Sequence, residues 1–142
     1  MKLRPKNLLV GQTVIVDPDL TTDPFERRGQ IGRVIEYDVQ FPSVTVLFDD
    51  GKNGHYLTDT IYAMQPRKNI LQGLINNYSA LTDGERKIIL NVIKLVEERA
   101  IQPAIYASLT NDTIKRHCLC HCADLLDLKL EEKRKRRNVK KI

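Results

Sequence analysis

The residues best suited to chemistry stand together near the C-terminal end: His117, Cys118, Cys120, His121 and Cys122, followed by the cationic run Lys133-Arg134-Lys135-Arg136-Arg137. Thiolates and imidazoles are preferred zinc ligands, so the first cluster has the composition of a metal site. Its spacing argues otherwise. At about 100° per residue on a helix, Cys118 and Cys122 fall with Ile114 and Leu125 in the middle of an apolar face, while Cys120 projects among Arg116, Asp124 and Asp127. His117 and His121 flank that face as half a site, no second Cys/His pair completes it, and His55 lies in the other half of the chain. The expected state is buried structural thiols, with no metal and no cofactor. Three cysteines so close on one helix are poorly placed for intrachain disulfides, which points to a reducing interior.

The second cluster can neutralise phosphates and release their counterions, or act as a localisation signal in a nucleated cell. A solvated helix end is the bland alternative, because positive charge is favoured at a helix C-terminus. Lys140 and Lys141 extend the run, and only Glu131 and Glu132 oppose it. Contact with nucleic acid, DNA or RNA, is therefore the favoured reading. Lys115 and Arg116 downstream of a turn, and Arg28 and Arg33 near the first strands, are the further candidate phosphate contacts. Tyr37, Phe41 and Tyr56 offer stacking faces or complete a small core.

The charge distribution locates this attraction. The chain has 142 residues and a formal charge of +5. Residues 1–65 carry 7 Lys and Arg against 9 Asp and Glu, and residues 66–142 carry 16 against 9. The first half is thus slightly acidic, and the excess of cations lies downstream. A hydrophobic fraction of 42% is that of a globular protein, which excludes wholesale disorder. The apolar run Leu8-Leu9-Val10 stops at Gly11, too short for a signal-peptide core, and no window approaches membrane-spanning length. A soluble cytoplasmic protein is expected, nuclear if the cell has a nucleus, with no membrane partner.

The elements that would position these residues change period midway. Thr13 to Val16 reads as a strand ended by Asp17-Pro18, and residues 17–28 as a long polar loop. Arg28-Gly29-Gln30-Ile31-Gly32-Arg33-Val34 opens a second strand running to Asp38. Its alternation is imperfect, because Ile31, Arg33, Ile35 and Tyr37 share one face and Val34 the other; a bulge near Gly32 or cover on both faces would reconcile it. Val44, Val46 and Phe48 alternate cleanly in a third strand. Asp49-Asp50-Gly51-Lys52-Asn53-Gly54 reverses the chain into His55-Tyr56-Leu57, and Ile61 to Met64 forms a fifth strand. Beyond Pro66 the stripe Ile70, Leu71, Leu74, Ile75, Tyr78, Leu81 has helical spacing. Thr82-x-x-Glu85 is a capping box opening a helix through Ile88, Ile89, Val92, Ile93, Leu95 and Val96. Pro103 stops that helix or begins the next, Pro103 to Leu109 reads as a short helix, Asn111 as an N-cap, and Asp112 to about Leu130 as one long helix.

Five short strands with a long first loop and a tight distal hairpin resemble the SH3-like small barrel. Arg28 to Val34 is similar to the start of a KOW motif, as in ribosomal and transcription-elongation proteins. Val46-Leu47-Phe48-Asp49-Asp50-Gly51 followed by Tyr56 resembles tudor-type and Mind-bomb-type barrels. These resemblances imply a fold more than a ligand, since such barrels bind RNA, DNA, peptides or neighbouring domains. In the second half, Leu81-Thr82-x-x-Glu85, Ala104 to Leu109 and Asn111 to His117 resemble the LuxR-type helix-turn-helix. The turn between Leu109 and Ile114 is about two residues short of that pattern, and His117 takes a usually apolar place. The resemblance implies that Thr113, Lys115, Arg116 and Asn111 would face a major groove or its phosphates.

The expected architecture is α+β: a five-stranded SH3-like barrel over 1–66, a helical domain of three to four helices over 67–130, and a basic tail over 131–142. The chain has no Gly-rich phosphate loop, no His-Glu-x-x-His and no nucleophile elbow, and Asp49, Asp50 and His55 read as exposed hairpin residues. A non-enzymatic nucleic-acid-binding protein is expected, with the barrel as adaptor. The alternative is a protein-interaction subunit docking through the barrel and the apolar helices.

Overall fold

The computed structural model describes residues 6–38 and 40–140, with side chains described over 8–38 and 40–136. The chain is α+β and groups into two compact units, Met1–Tyr62 with His121–Ile142, and Ala63–Cys120. The boundaries therefore differ from the sequential parts expected at 66/67 and 130/131: the residues from His121 onward group with the N-terminal strands.

The first unit starts with a short helix α1 (Lys6–Leu9) and the strand β1 (Thr13–Val16), whose Val14, Ile15 and Val16 are all fully buried. β2 (Ile31–Asp38), β3 (Ser43–Phe48) and β4 (Asn53–Leu57) follow as an antiparallel meander, and β5 (Ile61–Met64) returns to pair with β1. All five lie where the sequence places them, except that β4 begins at Asn53, two residues inside the expected turn. A sixth strand, β6 (Leu119–His121), completes the order β4-β3-β2-β1-β5-β6. That order ends at β4 and β6, so the sheet is open and six-stranded where a closed five-stranded barrel was expected.

The irregular alternation of β2 has a specific cause. Val34 pairs with Val46 but Glu36 pairs with Thr45, so Ile35 is one residue extra. The bulge turns the chain by one position, which puts Gly32, Val34 and Tyr37 inward and leaves Ile35 38% exposed. It lies three residues after Gly32, not beside it. Gly32 answers a different need: a Cβ there would lie 2.5 Å from Val46 Cγ1 and 2.8 Å from the Leu47 carbonyl oxygen.

The loop between β1 and β2 is held by one carboxylate. Asp23 is 6% exposed; its Oδ1 accepts from the Phe25 amide at 2.9 Å and its Oδ2 from the Arg27 amide at 2.7 Å. The Tyr56 hydroxyl donates to the same carboxylate at 3.0 Å. Burial first, and then this bond to Asp23, push the Tyr56 phenol well above its ordinary value. Arg27 closes the loop onto the β3–β4 hairpin, pairing with Asp50 at 2.6 Å while its guanidinium lies 4.9 Å from the centre of the Phe48 ring.

The second unit is helical: α2 (Arg67–Asn76), a 3-10 turn (Tyr78–Ala80), α3 (Asp83–Glu97), α4 (Ile101–Ser108) and α5 (Asp112–Cys118). The capping box forms as expected, with the Thr82 hydroxyl accepting from the Glu85 amide at 3.1 Å and Glu85 accepting from the Thr82 amide at 2.9 Å. α3 ends at Glu97, two residues before Arg99, whose φ of 62° no helix continues, and Pro103 sits in the first turn of α4. Ile89, Val92, Ile105 and Ile114 are buried, each burial contributing about 1.5–3 kcal/mol.

The long helix expected from Asp112 to Leu130 is broken, and the break corrects the reading of the cysteine cluster. α5 stops at Cys118, β6 intervenes, and α6 (Cys122–Lys140) begins afresh. Gln65 explains the stop: its amide donates to the Cys118 carbonyl at 2.9 Å, and its side chain donates to the carbonyls of Arg116 and Leu119 at 3.1 and 3.0 Å. Helical periodicity carried no trace of partners fifty residues upstream. Cys118 and Cys122 are nevertheless buried, as expected, and burial pushes the Cys118 thiol up to about 11. Among the described residues no group of three His, Cys, Asp or Glu could hold a metal, and no helix is long and apolar enough to cross a membrane.

Candidate nucleic-acid interface

The cations of α6 divide at Lys129. In the first half, Cys122, Leu125 and Leu126 are buried and hold the helix within the sheet unit, and the Ala123 amide donates to the Thr58 carbonyl at 3.3 Å. Lys129 follows on the same stripe with an inward task. Its ammonium donates to the Leu8 carbonyl at 2.9 Å and to Gln12 Oε1 at 3.2 Å, and burial holds it below the usual lysine range.

Beyond that point the described side chains open to solvent. Lys133, Arg134, Lys135 and Arg136 are all exposed, and Glu132 Oε1 lies 3.3 Å from Arg136 Nη2. Four consecutive positions span the whole circumference of a helix, so these cations point in four directions. Arg137 and Lys140 continue the helix, although their side chains, like Lys141 altogether, lie outside the described residues.

The remaining expected contacts are dispersed. Arg33 is exposed on β2, paired across the sheet with Thr13 and Leu47, and Arg28 is exposed in the loop that precedes β2. Lys115 is half-buried and Arg116 exposed on α5, in the other unit. Arg116 Nε donates to the Asp112 carbonyl at 3.4 Å. Asn111 spends its side chain on the fold: its Oδ1 caps α5 by accepting from the Ile114 amide at 2.9 Å, and its Nδ2 donates to Glu85 at 3.3 Å. Of the three aromatic residues considered for stacking, Tyr37 and Tyr56 belong to the core, and Phe41 alone is open, at 71% exposure.

Three features escaped the sequence. The Asp23–Tyr56 bond joins residues thirty-three positions apart, the Lys129 contacts more than a hundred, and His121 stacks on Tyr62 at 4.4 Å between ring centres. The only local hint was Asp23-Pro24-Phe25, a turn-forming acid ahead of a proline.

Comparison with known proteins finds no matching family model, no matching curated protein and no matching solved structure.

Proposed function

We propose that this chain is a non-enzymatic nucleic-acid-binding protein in which the C-terminal half of α6 supplies the phosphate contacts and the sheet unit acts as an adaptor of the SH3-like kind. The observation that carries this reading is the exposure of Lys133, Arg134, Lys135 and Arg136 on a helix whose other half buries Cys122, Leu125 and Leu126 within the sheet unit. Exposed, unburied ammonium and guanidinium groups keep their counterions exchangeable, which is the condition for binding driven by counterion release. Lys115 and Arg116 on α5 add a second cationic surface, the one a helix-turn-helix reading would use.

Filter binding of the full chain and of a chain ending at Leu130, each to duplex and single-stranded nucleic acid at low and raised salt, tests the reading. The full chain binds with an affinity that falls steeply with salt, and the shortened chain loses most of that dependence. Salt-insensitive binding, or none, in the full chain removes the proposal.

One observation favours a second reading, a subunit that docks on another protein. Phe41 at the β2–β3 turn and Leu57 on the edge strand β4 are 71% and 48% exposed. Phe41→Ser with Leu57→Ser would then abolish co-migration with a partner chain, while leaving salt-dependent nucleic-acid binding as it was.

A further inference from the structure

We propose that Lys129 is a positioning residue that seats α6 on α1, so that phosphate contact begins at Lys133 and the cations beyond are presented on a helix of fixed bearing instead of a loose tail. This rests on the nucleic-acid reading above and adds a division of labour within the cations that the charge count lumps together.

The geometry of the seat carries the inference. The last carbonyls of a helix lack intrahelical partners, and the four-residue α1 leaves the Leu8 carbonyl among them. Lys129 Nζ donates to that oxygen at 2.9 Å and to Gln12 Oε1 at 3.2 Å, which commits two of the three N–H donors of the ammonium. Lys129, Glu132, Lys133 and Arg136 share one face of α6 at i, i+3, i+4 and i+7, continuing the stripe begun by Cys122, Leu125 and Leu126. With Leu8 and Val10 these four side chains line an open groove of about 330 Å³. The stripe therefore changes along its length from apolar packing, through one half-buried cation, to exposed cations. Burial lowers the pKa of Lys129, the cost of drawing its ammonium partly out of water, and the two hydrogen bonds offset that cost.

Pre-ordering matters because a tail that must become ordered on binding loses affinity to that ordering, whereas a seated helix has met the cost in folding. Seating thus acts on the intercept of the salt dependence, and phosphate contact acts on its slope.

That separation is the test. Fluorescence anisotropy with a short labelled DNA duplex, over a series of salt concentrations, is measured for the wild-type chain, Lys129→Gln, Gln12→Leu, Lys129→Arg and Lys133→Gln. Lys133→Gln reduces the magnitude of the slope of log affinity against log salt by about 0.9, the value for one lost phosphate contact. Lys129→Gln weakens binding by about tenfold at every salt with the slope unchanged, as loss of a charged hydrogen bond predicts. Gln12→Leu alters no charge and weakens binding in the same way, and it carries the comparison if Lys129→Gln fails to fold. Lys129→Arg, which keeps charge and donors, stays near wild type.

A slope reduced in Lys129→Gln as in Lys133→Gln, with Gln12→Leu unaffected, would make Lys129 a phosphate contact and overturn the proposal. Wild-type affinity in both Lys129→Gln and Gln12→Leu would overturn it as well. A wild-type chain without salt-dependent binding removes the nucleic-acid reading itself, a result separate from either of these.

Discussion

The loop between β1 and β2 and the second half of α6 are both rich in charge, and the fold uses that charge in opposite ways. In the loop, Asp23 is buried against two amides and the Tyr56 hydroxyl, and Arg27 is 17% exposed, held between Asp50 and the Phe48 ring. In α6, Lys133 to Arg136 stand in solvent, with Glu132 beside Arg136. Fixed inward partners make Asp23 and Arg27 structural ions that are unavailable to a ligand, while Arg28 of the same loop stays exposed. Exposed cations add little to folding and remain available to one. Exposure and partners, not composition, separate the two roles.

The comparison breaks first at Asp23. Asp23→Ala leaves a buried hydroxyl and two part-buried amides without an acceptor, and about 3 kcal/mol of stability is lost in urea unfolding. Nucleic-acid affinity at temperatures where the variant stays folded is unchanged; a loss below about 1 kcal/mol would show that the loop is not pinned as described. Gly32→Ala comes next, at about 2 kcal/mol, because a methyl group there meets the Leu47 carbonyl, which cannot turn aside. Thermal unfolding of Gly32→Ala against Gly29→Ala separates this crowding from φ strain, since Gly29 has a φ of 74° with only Pro18 nearby.

Alkaline pH supplies a graded version of the same contrast. Cys118 rises from 9.0 to about 11 in the fold, so the unfolded chain releases its proton first, and the stability this thiol contributes is lost as pH climbs from 9.0 to about 11. One such proton gives a slope of up to about 1.4 kcal/mol per pH unit. Tyr56, also raised, acts in the same sense, while Lys129, lowered, acts in the opposite sense. Cys118→Ala flattens the decline in melting temperature over that window; an unchanged decline would refute the assignment to this thiol. The smallest stability effect belongs to the arm: Lys135→Gln shifts unfolding by less than about 0.5 kcal/mol, yet lowers the salt slope of nucleic-acid binding by about 0.9.

Legibility followed the range of the interactions. The five strands, the Thr82–Glu85 box and the Asn111 cap were readable because each depends on residues within a few positions of one another. Apolar spacing gives the burial of Cys118 and Cys122 but not the break between their helices, because it reports burial without reporting which backbone partner ends an element. The expected cations of the tail were identified by composition, but Lys129 could be sorted from Lys133 only by knowing what each touches.

By itself the sequence determined the alternating strands, the helical stripes, the local caps and the excess of positive charge after Leu130, all of them properties of neighbours along the chain. Tertiary structure alone decided the place of the bulge at Ile35, the sixth strand of the open sheet, the Asp23–Tyr56 pin and the Lys129 seat. Each depends on pairing between residues far apart, where the free energy of a buried polar group is set by whether a partner arrives, and local pattern carries no record of that arrival.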